Sequence, residues 1–304
     1  MIKILSKTLV GIFLYSSLYA GEFQYGNGTL DMTGGFMGLD ETISADISTY
    51  SLIEKHKNIF SSSWYYKYNF TWYDSDTMVQ AQDTINGYIS NANNILGGIL
   101  GNGSRVAIPV IPSIDYRLQG LDLNLVLGKD LYHKGENDYF GLGVLVGVSL
   151  PWIESEKSSD NDDSTSDNAM NLMQDSKTKM MTYKIGPSIA ASVSFNKYIM
   201  LYGSACYAYQ TGTLKNDYAQ SDLKVDGIFQ EYDAGIKFVP FAQDYKTKYI
   251  TLSPRLYASL GYRYTNWTLN DIAIDVTGLG HTFIQTDFTS SNSVLYFGIG
   301  YDFF

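Results

Sequence analysis

Apolar and polar residues alternate with a period of two over long stretches of this chain, the spacing that puts successive side chains on opposite faces of a β-strand. Trp64, Tyr66, Tyr68, Phe70 and Trp72 share a face opposite Tyr65, Lys67, Asn69 and Thr71. Phe140, Leu142, Val144, Val146, Val148 and Leu150 oppose Gly141, Gly143, Leu145, Gly147 and Ser149. Tyr183, Ile185, Ile189, Ala191, Val193 and Phe195 oppose Thr182, Lys184, Gly186, Ser188, Ser192 and Ser194. Ile250, Leu252, Leu256, Ala258, Leu260 and Tyr262 oppose Thr251, Ser253, Arg255, Ser259 and Arg263. Two-faced strands of this kind suit either a sandwich, with the apolar face inward, or a membrane barrel, with it outward.

The carboxy terminus separates the two. Leu295, Phe297, Ile299, Tyr301 and Phe303 fall on one face of a strand, and Tyr296, Gly298, Gly300, Asp302 and Phe304 on the other. This segment resembles the closing strand of bacterial outer-membrane β-barrels, whose assembly signal is an alternating apolar strand with Tyr two places before a terminal Phe. Tyr301-Asp302-Phe303 fits that pattern, and Phe304 adds one residue to it. The resemblance implies an all-β chain, a transmembrane antiparallel up-and-down β-barrel. It further implies insertion by the barrel-assembly machinery and contact with outer-membrane lipid and lipopolysaccharide, with Tyr301, Phe303 and Phe304 as the assembly signal.

Barrels of this class have short periplasmic turns and longer outer loops. Short connections lie near His56-Lys57, Lys134 to Asn137, Asn196-Lys197 and Phe241 to Tyr245. Longer ones lie at Met37 to Asp40, Asp74 to Val106, Ile153 to Lys177, Lys215 to Ser221 and Asn270 to Thr282. Alternating the two kinds gives about ten strands, with twelve as the alternative. The strands are expected at 26–37, 42–54, 58–74, 110–132, 138–152, 178–195, 198–213, 222–240, 247–268 and 283–304. Two places disturb the pattern. In the fourth strand the apolar set passes from Ile114, Tyr116 and Leu118 to Leu121, Leu123, Leu125 and Leu127, a change of phase that calls for a bulge or turn at Gln119-Gly120. Between Met78 and Leu100, Val79, Ile85, Ile89, Ile95 and Leu96 recur at helical spacing, which predicts a short helix in an outer loop.

Composition agrees with a single barrel. The 304 residues include 26 Tyr, 15 Phe and 4 Trp against 6 Pro, the usage of strands that end in aromatic girdles. Mean hydropathy is −0.12, since lipid-facing and lumen-facing residues cancel. Lys3 and Lys7, the apolar run Leu9 to Leu14 and Ala20 describe a secretory signal peptide over 1–20, leaving 21–304 as the barrel, with extracellular loops at 75–106 and 153–177. Cys206 is alone, so neither an intrachain disulfide nor a Cys/His metal cluster is expected. The formal charge of −10 falls to about −12 without the leader lysines, which excludes a basic nucleic-acid footprint. No cofactor is indicated, and the extracellular ligand is not legible.

The chemistry that remains lies in the lumen. The alternation places Lys67, Arg117, Lys184, Lys237, Arg255 and Arg263 inside, against Asp115, Asp122, Glu231, Asp233 and Asp302. Nearly balanced charges in a narrow interior form cross-strand ion pairs that fill a barrel more readily than they line a pore. A non-enzymatic surface-displaying barrel is therefore expected, with a narrow porin-like channel for small solutes as the alternative. The acidic run Asp160 to Asp167 begins like a calcium loop but has Thr165 where Gly is required and Asn171 where a bidentate Glu is required. A rim hydrolase is the third reading, resting on His281 with Asp271, Asp275 and Asp287 nearby. His56 and His133 fall at turns on the other side.

Overall fold

The computed structural model describes residues 21–36, 39–59, 63–80, 114–132, 138–157, 177–216, 223–241, 243, 245–246, 251–252, 255–270 and 288–301. The ten barrel strands are β1 (Gly21–Phe36), β2 (Leu39–Ile59), β3 (Trp64–Ser75), β4 (Ile114–Asp130), β5 (Tyr139–Lys157), β6 (Lys177–Ser194), β7 (Ile199–Asn216), β8 (Leu223–Phe238), β9 (Leu256–Asn270) and β10 (Phe288–Tyr301). Each pairs antiparallel with its neighbour in sequence, and β1 pairs with β10, from Gly21 opposite Tyr301 to Gly34 opposite Phe288. The sheet is thereby closed and keeps no free edge. Ten strands, not twelve, make the wall.

Two sequence disturbances resolve differently from expectation. β4 carries no bulge or turn at Gln119-Gly120: its register against β5 runs unbroken from Ile114 opposite Lys157 to Asp130 opposite Gly141. The apolar phase changes because the environment changes. Leu121 to Leu127 face outward along the apolar band, whereas Leu118 faces inward and joins a buried cluster with Leu30, Ile47, Tyr73, Met78 and Val294. The start of the predicted helix is also strand, since Met78–Gln80 pairs with Ile114 to Tyr116. The rest of that stretch lies outside the described residues, as do the expected leader, the acidic run, His133, His281 and Phe303-Phe304.

The outer surface is the apolar one. Leu295, Phe297 and Ile299 are each more than half exposed while their neighbours Val294, Tyr296 and Gly298 are buried. The same inversion of the soluble-protein rule holds along Leu123, Leu125 and Leu127 and along Phe140, Leu142, Val144 and Val146. Aromatic pairs sit on the outside as well, Tyr25 with Tyr50 at 5.2 Å and Trp72 with Trp152 at 5.4 Å between ring centres. Such a surface is stable only against hydrocarbon. At the end of the barrel that carries Gly21, three of the four connections are short, while the one from Phe238 to Leu256 is long and pairs Tyr245–Lys246 with Thr251–Leu252, so β9 starts later than the expected residue 247. Asn196 closes one of the short ones by accepting the backbone N–H groups of Tyr198 (2.8 Å) and Ile199 (3.0 Å). His56 lies within β2 on its outer side, not in a turn, beside Tyr66 and paired with Glu54.

Candidate functional site: the occupied lumen

Alternation sends one residue in two from each strand inward, and in a ten-stranded barrel those side chains can meet across the axis. The innermost knot centres on Asp233 of β8. Its Oδ2 accepts Arg263 Nη2 from β9 at 3.2 Å, and its Oδ1 accepts the Tyr296 hydroxyl from β10 at 2.5 Å. The Tyr202 hydroxyl of β7 donates in turn to Tyr296 at 2.6 Å. Arg263 also donates to Ser51 of β2 through Nη1 (2.9 Å) and to Gln24 of β1 through Nη2 (2.7 Å). From the facing wall, Lys67 of β3 approaches Ser204 Oγ at 3.4 Å and Asp233 Oδ2 at 4.0 Å. One carboxylate and one guanidinium thus hold five strands together, and Lys67 reaches them across the barrel.

Two further pairs lie above and below. Toward the terminal end, Lys237 contacts Glu22 at 3.2 Å, and Glu22 also accepts the Tyr257 hydroxyl at 3.0 Å and the hydroxyl of Ser259. Toward the long-loop end, Lys184 of β6 contacts Asp122 of β4 at 2.8 Å, Ser149 of the intervening strand donates to the same carboxylate oxygen, and the Lys184 ammonium lies 3.7 Å from the Phe229 ring. Lys184, Asp122, Asp233, Arg263 and Glu22 are all buried. A desolvated charge is tolerated only when paired and hydrogen-bonded, and each of these is. Beyond Lys184 the interior turns apolar, with Trp267 against Phe229 at 5.7 Å and Tyr73 at 6.0 Å, and then the Leu30, Ile47, Met78 and Leu118 layer.

Glycines make this filling possible. Tyr65 stands opposite Gly128, Tyr73 opposite Gly120 and Tyr296 opposite Gly261 on adjoining strands. Each ring folds over its glycine: a Cβ at Gly120 would lie 2.3 Å from the Tyr73 hydroxyl, and one at Gly261 2.4 Å from that of Tyr296. A lumen-facing glycine here is the floor of a slot for a neighbour's ring. What remains unfilled includes a cavity of roughly 20 Å³ bordered by Lys55, Tyr65, Lys67, Asn124, Cys206 and Glu231, room for about a single water.

Of the residues expected inside, Lys67, Asp122, Lys184, Glu231, Asp233, Lys237 and Arg263 are there. Arg117 is not. With no bulge to invert its phase it shares the outer side with Gln119, half exposed, its guanidinium bidentate on Asp74 at 2.8 and 2.6 Å. Arg255 is exposed in the turn before β9, and Asp302 lies outside the described residues. Glu22, Gln24, Ser51, Tyr202 and Tyr296 were absent from the expected set. A first strand expected only from residue 26 excludes Glu22 and Gln24, and a search for charges passes over hydroxyls. Among the described residues no group of His, Cys, Asp and Glu is arranged to hold a metal ion.

No protein-family model and no curated protein matches the sequence. Solved structures align over most of the chain, each at a TM-score below 0.5. The outer membrane protease OmpT of Escherichia coli is 9% identical with a TM-score of 0.46, covering 94% of this chain and 97% of its own. The translocator domain of the autotransporter NalP of Neisseria meningitidis is 9% identical with a TM-score of 0.37, covering 99% and 96%. The attachment invasion locus protein Ail of Yersinia pestis is 11% identical with a TM-score of 0.28, covering 92% and 99%. The chain is a closed antiparallel up-and-down barrel of ten strands whose structural neighbours are bacterial outer-membrane β-barrel proteins.

Proposed function

We propose that the protein is a non-enzymatic barrel of the bacterial outer membrane, exported by a cleaved leader, that displays long surface loops on a wall closed to solutes by its own side chains. The observation that carries this reading is the Asp233–Arg263–Tyr296 knot, which ties β1, β2, β8, β9 and β10 together in the lumen, with Lys67 meeting it from the facing wall. A conducting pore needs a continuous water path, and here a charged layer is followed by an apolar one that includes Tyr73, Met78 and Leu118. The closing strand with Tyr301, Phe303 and Phe304 is the segment that the barrel-assembly machinery would read.

Planar-bilayer recording of the purified, folded protein is the test. The expected trace is flat at neutral pH. Discrete, reproducible conductance steps would replace this reading with that of a narrow channel for small solutes, and a peptide- or lipid-cleaving activity lost on replacing His281 would replace it with that of a surface hydrolase.

A further inference from the structure

Asn124 projects from β4 into the lumen and is 3% exposed, yet neither its amide nitrogen nor its oxygen has a hydrogen-bond partner among the described residues. Asn69 of β3 stands directly opposite it in register. That neighbour is engaged elsewhere: its oxygen accepts the Thr71 hydroxyl at 3.1 Å, and Thr71 is joined in turn to Ser51 at 2.8 Å. Leaving both ends of a buried amide unbonded is costly, so such a group marks a place that a guest occupies.

Asn124 borders the cavity of roughly 20 Å³, and the other groups around that space define what fits. Lys67 and Glu231 carry opposite charges and border it too, but they form no direct pair. Among the described residues Lys67 bonds to Ser204 at 3.4 Å and pairs with Asp233 at 4.0 Å, both long for an ammonium with three donors. The Glu231 side chain accepts no hydrogen bond from a described residue. An anion in the cavity would lie against Glu231, and a cation against Lys67. An apolar guest would leave Asn124 unbonded, as well as the buried Tyr65 hydroxyl at the same border. What satisfies all of these groups is a small neutral molecule that both donates and accepts hydrogen bonds, and the space has room for about one water.

We propose that the cavity binds a resident water, held by Asn124, that bridges Lys67 to Glu231. The water donates to the Glu231 carboxylate, accepts from the Lys67 ammonium and bonds the Asn124 amide with its remaining capacity. About three partners is usual for an interior water. The lumen then holds a further charge pair, joined through solvent, beside the direct pairs of Lys184 with Asp122, Lys237 with Glu22 and Arg263 with Asp233. Small side chains on β6 and β7 make the space: Ser188, Ser204 and Cys206 stand on its border. The inference rests on the closed-lumen reading for the water's long residence, and on Asn124, Lys67 and Glu231 for its place.

The test is crystallography of the folded protein at a resolution that shows waters, repeated on crystals pressurised with xenon and on crystals soaked in bromide. The expected map has one water peak within hydrogen-bond distance of Asn124, Lys67 and Glu231, and neither xenon nor bromide replaces it. Xenon in the cavity would mean a dry site, bromide an anion site, and featureless density no guest; each overturns the proposal. Oxygen-17 magnetic relaxation dispersion counts long-lived interior waters in solution, and N124L, which puts an apolar side chain into the space, is expected to lose one of them. An unchanged count in N124L, shown to be folded by its heat-modifiable gel mobility, overturns the proposal as well. The parent crystals decide the matter whether or not N124L folds. Stepwise bilayer conductance with the water peak in place would sink the closed-lumen reading alone, and a flat trace with xenon in the cavity would sink this inference alone.

Discussion

Asp233 and Arg263 face each other in register on β8 and β9, 3.2 Å apart and both buried inside the barrel. Each is surrounded by partners that the other alone cannot replace: Tyr296 on the carboxylate, Gln24 and Ser51 on the guanidinium. Removing one member leaves the other desolvated without its counter-charge, at a cost of roughly 3–5 kcal/mol. R263M and D233L should each lower the temperature at which the folded band is lost on a gel. The double variant should lose less than the sum of the two, because no orphan charge remains. A double variant showing the full additive loss would mean that the pair does not act as a unit.

Gly120 lies under the Tyr73 ring, and a methyl group there has no room. Overpacking of this kind costs about 1–3 kcal/mol. G120A should therefore lower the unfolding midpoint in a urea titration of the barrel in lipid vesicles. Y73A in the same chain should recover part of that loss by vacating the slot. No recovery would mean that the glycine serves something other than the ring.

The four tryptophans sort by side of the wall. Trp64, Trp72 and Trp152 face outward, and Trp267 lies inside against Phe229. In single-tryptophan variants reconstituted in bilayers with brominated acyl chains, Trp267 should be the one that is not quenched. Strong quenching of Trp267 would invert the assignment of inside and outside.

Cys206 is buried on the lumen side of β7. A polar maleimide added to the folded barrel should leave it unmodified, and labelling should go to completion once the chain is heat-unfolded. Rapid labelling of the folded protein would mean that water and solutes reach the middle of the lumen, contrary to a closed interior.

The wall of this barrel was readable from the alternation alone, because a side chain's contact with lipid depends on its own parity and on little else. Leu123 or Phe297 needs no partner to declare its side. Interior contacts are relational. That Tyr73 lies over Gly120, or that Arg263 reaches Gln24 and Ser51, depends on how far each strand slides past the next, and a single sequence does not encode that offset in any local pattern. Arg117 shows where parity misleads. Above the band, apolar residues turn inward to form a plug, so following hydrophobicity past Leu118 inverts the face of everything beyond it. Tyr296 and Tyr202 show the other gap, since aromatic hydroxyls read as girdle residues until their partners are placed.

The pairing of β1 with β10 makes the earliest and latest strands of the wall mutual neighbours. Until Phe288 to Tyr301 has been synthesised, one edge of Gly21 to Gly34 has no mate, and every partial sheet carries two unsatisfied edges that lipid cannot solvate. Folding of this chain is in consequence an event for the whole polypeptide, with its largest loop-closure cost met at the final step. A chain held unclosed would expose those edges to water and leave them unsatisfied in the bilayer, so the pairing of β1 with β10 is what lets the finished wall face hydrocarbon.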